Sequence, residues 1–96
     1  MVGEWTLIQT TKCKAYILSY QVIDDVEFHV HCEVYNWKLS VMKELYTKLG
    51  AILNLARALG FSEVWSVSPN PKFCELYGGI DSDIKHEGCH IMYWEL

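Results

Sequence analysis

The chain has little proline, little basic charge and no glycine-rich loop, and each shortage narrows what it can be. Both prolines fall in Ser68-Pro69-Asn70-Pro71, leaving the rest of the chain free to run as helix and strand. Eight Lys and Arg against twelve Asp and Glu give a net charge of −4. The positive field that nucleic-acid phosphates require is therefore missing, and DNA and RNA are set aside as partners. The most apolar stretch, Leu39 to Leu59, carries Lys43, Glu44, Lys48 and Arg57, each too costly to place in hydrocarbon, so no membrane span is expected. The opening Met1-Val2-Gly3-Glu4-Trp5 lacks the basic and apolar regions of a secretory signal, which makes cytoplasmic residence the expectation. Cys13, Cys32, Cys74 and Cys89 include no Cys-x-x-Cys pair, and in a reducing compartment they read as thiols.

Apolar and aromatic residues are plentiful. They include four Trp, six Tyr and three Phe in 96 residues, enough to offset the entropy of ordering one core, in a chain too short to bury two. A single domain over residues 1–96 is expected.

Hydrophobic spacing gives the order of elements. Trp5 to Thr10 reads as a short strand, and Cys13 to Ile23 as a second with Tyr16, Leu18, Tyr20 and Val22 on one face. Asp24-Asp25 is a turn, though neither residue favours the positive φ of tight hairpins. After it Val26, Phe28, Val30, Cys32 and Val34 alternate with Glu27, His29, His31, Glu33 and Tyr35, the period of a half-buried strand. Met42, Leu45, Tyr46, Leu49, Ile52, Leu53, Ala56 and Leu59 recur at helical steps, which predicts one amphipathic helix about 30 Å long. Ser40 or Asn36 is its candidate cap, and Gly60 its stop. Gly50 inside it suggests a close approach by a strand or side chain. Glu63 to Val67 follows as a strand, then Lys72 to Tyr77 as a short helix, Asp81 to Gly88 as a polar loop and Cys89 to Leu96 as a last strand. The expected class is α+β, a mixed, mostly antiparallel sheet in the order β-β-β-α-β-α-β packed on one long helix.

This order, and Val64-Trp65-Ser66-Val67-Ser68-Pro69-Asn70-Pro71-Lys72-Phe73-Cys74-Glu75-Leu76-Tyr77-Gly78-Gly79 in particular, resembles the GCN5-related N-acetyltransferase (GNAT) fold from about Lys14 to Leu96. It also resembles the abbreviated GNAT-like segments of small phage proteins, in which an aromatic helix start such as Trp37-Lys38-Leu39-Ser40 replaces the cofactor loop. The resemblance implies a general base on the third strand, for which Glu33 is the match, and an Asn loop at Asn70. It also implies a general-acid tyrosine four residues before the glycine that closes the short helix. Counting back from Gly78 reaches Cys74, and Tyr77 stands one turn away. The family's glycine-rich loop, which cradles the pyrophosphate of acetyl-CoA with backbone N–H groups, has no counterpart in Tyr35-Asn36-Trp37-Lys38-Leu39-Ser40-Val41. Lys38 there offers one charge.

Other constellations are weaker. Glu27, His29, His31 and Glu33 share the non-core face of the third strand and read as a solvated face or a partner surface. His29 and His31 with Cys13, or with His86, Cys89 and His90, would make a zinc set, but no spacing matches a closed site and no metal is expected. Cys74 reads as a small buried hydrophobe before it reads as a nucleophile. Trp65 and Trp94 are assigned to the core, and Trp37 to the surface as an interaction residue.

The leading expectation is a small, phage-type GNAT-like protein, a virion component or an inhibitor of a host protein. It would bind a protein partner through Trp37, Glu27, His29 and His31, without cofactor or acetyl transfer and without a membrane role. A second copy of the chain is among the partners allowed. One alternative is a minimal acetyltransferase using acetyl-CoA through Lys38 and Asn70, with Glu33, Cys74 and Tyr77 as catalytic candidates. The other is a small zinc module.

Overall fold

A computed structural model describes residues 15–96 and, by backbone alone, Thr6–Gln9. Trp5, Thr10, Cys13 and Lys14, which the spacing assigns to the ends of the first two strands, lie outside the described residues. The elements run β1 (Thr6–Gln9), β2 (Tyr16–Ile23), β3 (Glu27–Val34), α1 (Leu39–Ala58), β4 (Glu63–Ser68), α2 (Pro71–Leu76), β5 (Ile80–His86) and β6 (Cys89–Glu95). They form one six-stranded sheet in the order β1-β2-β3-β4-β6-β5. Every neighbouring pair is antiparallel except β3 and β4, which run parallel because α1 carries the chain back across the sheet between them. The fold is α+β, with one long helix and one short one.

β2 and β3 pair from Tyr16↔Val34 to Ile23↔Glu27. Their turn holds Asp24 at φ 53° and Asp25 at φ 58°, the left-handed geometry of a tight hairpin made without Gly or Asn. Val26 belongs to this turn and is exposed, so the strand starts one residue later than the alternation suggests.

The period-2 pattern of β2 and β3 turns Tyr16, Leu18, Phe28 and Val30 to one face, where Val64, Met92 and Trp94 join them. Val41, Leu45, Leu49, Ile52 and Ala56 of α1, with Cys74 of α2, close over this face. Each large side chain so buried stabilises by roughly 1.5–3 kcal/mol, and these contacts hold α1 in place without a capping side chain. Lys38 is the N-cap, with extended backbone, and neither Ser40 nor Asn36 bonds the first turn. Gly60 at φ 91° ends the helix as expected, with Gly60 N donating to Arg57 O and Phe61 N to Ala56 O.

Four expectations are corrected. The buried stripe of α1 is turned toward Val41, leaving Tyr46 and Leu59 exposed, because the helix packs over the sheet through its 41-45-49-52-56 row. A Cβ on Gly50 would meet nothing within 4 Å, so no close approach explains that glycine. Trp65 points away from the core to stack near Tyr93, since Val64, Ser66 and Ser68 take the inward positions of β4. Residues 81–88 are an edge strand and turn rather than a loop. β5 folds back on β6 through Glu87 and Gly88, both at positive φ, and adds a final β to the expected order. Its ladder is interrupted between Asp81 and Lys85. There Asp83 N donates to Asp81 Oδ1 at 2.8 Å, His90 Nδ1 meets Asp81 Oδ2 at 2.8 Å, and Ser82 Oγ donates to Ile91 O at 2.6 Å. Among the described residues no helix is long and apolar enough to cross a membrane.

Candidate functional site at the α1–α2 end

Ser68 ends β4 by bonding across the break: its Oγ donates to Asn70 O at 3.0 Å and accepts from Asn70 N at 3.1 Å. Asn70 Oδ1 accepts from Phe73 N at 3.4 Å, and Pro71 takes the first helical position, where a missing N–H costs nothing. The Asn loop therefore builds α2, and the Asn70 side-chain carbonyl is committed to that cap.

α2 in turn places Phe73 and Tyr77. Four rings follow one another across this end of the molecule: Trp37 edge-on to Phe73 at 5.1 Å, Phe73 edge-on to Tyr77 at 5.1 Å, and Tyr77 tilted against Tyr46 at 6.0 Å. The Tyr77 hydroxyl donates to Met42 O at 3.3 Å, and Trp94 Nε1 donates to Tyr77 O at 3.0 Å, so α2 is tied to both α1 and β6. Burial, with Cys32 nearby, holds the Tyr77 hydroxyl above the usual phenol range. Trp37, Tyr46 and Leu76 nevertheless expose 58, 64 and 68 % of their surface, and Leu39 at the start of α1 exposes 69 %. A shallow groove of about 600 Å³ runs along the patch between Trp37, Asn70, Lys72, Phe73, Glu75 and Leu76.

Beneath the rings, between β3, β4 and α1, lies an apolar cavity of about 30 Å³ bordered by Val30, Cys32, Leu45, Cys74, Tyr77 and Trp94. Burial pushes the Cys32 thiol up to about 12, with Cys74 and Glu33 adding to it, and burial also raises Cys74 against a lowering contact from Ser68. Both cysteines are thus poor nucleophiles. The cavity has room for one or two waters.

Glu33 does not share this space. As an alternate residue of β3 it lies on the opposite side of the sheet, where the Tyr35 hydroxyl donates to its Oε2 and His31 Nε2 lies 3.3 Å from its Oε1. These two contacts hold its carboxyl below the usual range, Tyr35 first. The fold brings Cys74 and Tyr77 together and leaves Glu33 apart from them. Lys38 is exposed at the α1 N-cap. His29 leans toward Glu27, at 3.6 Å, and His31 toward Glu33, so the two imidazoles turn to opposite ends of the strand. Among the described residues no three His, Cys, Asp or Glu side chains are grouped as metal ligands.

Sequence reasoning finds Trp37 but misses Phe73 and Tyr46 as its companions. The signal for Phe73 is its position three residues after a capping Asn. Tyr46 is hidden by a helical stripe that assigns it to the core. Compared with protein-family models, characterised proteins and solved structures, the chain finds no match in any of the three.

Proposed function

We propose that this chain is a small GNAT-like domain that binds another protein through the aromatic patch at the α1–α2 end and transfers no acetyl group. The order of elements and the parallel β3–β4 pair joined by α1 support the resemblance carried by residues 64–79. One observation supports the functional reading: the enclosed space under the α1–α2 end is apolar and holds no more than one or two waters. Beneath this end, between β3, β4 and α1, Cys32, Cys74, Tyr77 and Phe73 leave an apolar space of only about 30 Å³, and beyond the carboxyl ends of the two parallel strands lies the shallow groove beside Trp37 and Asn70. Glu33, the candidate base, has both oxygens engaged on the other side of the sheet. What this end offers instead is exposed Trp, Tyr and Leu around a shallow groove, the composition of a protein-binding hot spot.

A second reading rests on α1 beginning with no capping side chain beside Lys38, which leaves first-turn N–H groups free to receive an anion. Titration calorimetry with acetyl-CoA separates the two. The binder reading expects no saturable heat below about 1 mM, because a lone lysine cannot replace a loop of charge-assisted N–H contacts. Micromolar affinity lost in Lys38→Ala would overturn the binder reading, and acetyl transfer that then depended on Glu33 would make the chain a minimal acetyltransferase. For the partner, protein captured by wild type should be lost from Trp37→Ala, by about 2 kcal/mol of affinity, in a variant that melts as wild type does.

A further inference from the structure

The face of the sheet turned away from both helices carries a separate arrangement that does not depend on the α1–α2 patch. β3 and β4 run parallel with His29 beside Trp65, and Glu27 and Glu63, each two residues earlier on its strand, border one cleft. Glu63 is itself directly opposite Glu95 on β6. Three carboxylates thus lie at the same end of three adjacent strands, Glu63 and Glu95 directly paired and Glu27 across the cleft from Glu63. Like charges directly opposite one another destabilise a sheet, and no lysine or arginine among the described residues pairs with any of the three. His29 Nε2, 3.6 Å from Glu27 Oε2, is shielded from solvent with no hydrogen-bond partner among the described residues, and only when protonated does it form an ion pair with Glu27.

Next along the strands the face is aromatic. Trp65 and Tyr93 pair directly, their ring centroids 5.3 Å apart. Where the two groups meet, Val26, Glu27, Phe61, Ser62, Glu63 and Trp65 line that cleft, of about 250 Å³. Phe61 turns its ring to Phe28 in the core, so the cleft offers two carboxylates and the Trp65 indole, a set that suits a planar cation. A guanidinium lies flat on an indole while its fork spans two carboxylates, whereas an ammonium is a point charge that keeps its water. A second copy is a poor occupant, because a two-fold contact would set these carboxylates against a face that holds no lysine or arginine among the described residues. The chain's net charge of −4 adds a field that draws a basic partner.

We propose that this face is a docking surface for an arginine-bearing segment of a partner protein, with one guanidinium seated against Trp65 between Glu27 and Glu63. The probe is a capped Gly-Arg-Gly-Arg-Gly peptide titrated into ¹⁵N-labelled protein, beside its lysine and citrulline counterparts. Saturable shifts should centre on Glu27 and on Phe61 to Trp65. The lysine peptide should bind about threefold or more weakly and the uncharged citrulline peptide not at all. Glu63→Gln should weaken the arginine peptide by about fivefold. It should also raise the melting temperature, since one of two opposed charges is gone; a residue kept only for the fold would not move both readouts in those directions. Equal binding of the arginine and lysine peptides, unchanged affinity in Glu63→Gln, or shifts spread evenly over the surface would each overturn the assignment. So would a dimer in sedimentation that Glu63→Gln strengthens, which would give the face to a second copy.

Discussion

Gly79 passes so close to Cys74 that a Cβ on it would lie 2.9 Å from the Cys74 carbonyl oxygen, the atom to which its own N–H donates. That contact closes α2 and fixes the direction in which Phe73 and Tyr77 leave it. Gly79→Ala should cost about 1–3 kcal/mol by overpacking, since the neighbour is backbone and has nowhere to move. Urea denaturation measures this, and a midpoint unchanged from wild type would show that the end of α2 can shift freely.

Gly50 carries the opposite sign. It sits in mid-helix with nothing within 4 Å of a modest side chain, so Gly50→Ala should stabilise the protein by about 1 kcal/mol. In a domain of this size that is a rise of about 4–8 °C in Tm.

Neighbouring residues of α1 test which face is buried. Leu45 is 2 % exposed and Tyr46 is 64 % exposed, so Leu45→Ala should cost about 2–5 kcal/mol and Tyr46→Ala well under half of that. Equal losses in thermal melts would mean that the helix is rotated from the orientation described.

Acid should loosen the β5–β6 hairpin. The Asp83 N–H, and after it His90, hold the Asp81 carboxyl below the usual carboxylate range. A carboxyl depressed in the folded state stabilises above its unfolded pKa of about 3.9 and loses that contribution as pH falls through the folded value. Between about pH 4 and pH 2, Tm should therefore fall less steeply in Asp81→Asn than in wild type. Parallel curves would show that the Asp81–His90 contact does not couple to folding.

The thiols should differ in reactivity. Cys32, pushed up to about 12, and Cys74, raised by burial, should stay unlabelled by an aromatic disulfide reagent at pH 8, while half-exposed Cys89 reacts. Peptide mapping after brief labelling reads this out. Early modification of Cys32 would mean that the rings above the cavity open readily.

Much of this architecture is legible in the residues, and what is hidden is hidden for physical reasons. The strict alternation around Phe28, Val30 and Cys32 identifies the central strand, because one face of it must be dry. The helix is equally plain, but its rotation is not: Val41 and Tyr46 are both apolar, and only the sheet beneath decides which one is covered. Trp65 illustrates the same limit. An aromatic residue in a strand has two faces available, and the small inward residues Ser66 and Ser68 leave it on the open one. At the candidate site Trp37 could be found from its polar neighbours, whereas its contact with Phe73 depends on how Asn70 starts α2.

β5 is the strand that polarity concealed, and the same polarity guards the sheet. It is an outer strand, and every outer strand offers unpaired N–H and C=O groups on which another chain can polymerise. Asp81, Asp83 and Lys85 place charge along this margin, and the irregularity between Asp81 and Lys85, with Asp83 at φ 63°, breaks the regular spacing that an incoming strand must match. Straightening that kink with β-branched residues would be expected to convert a closed boundary into a growth point for fibrils.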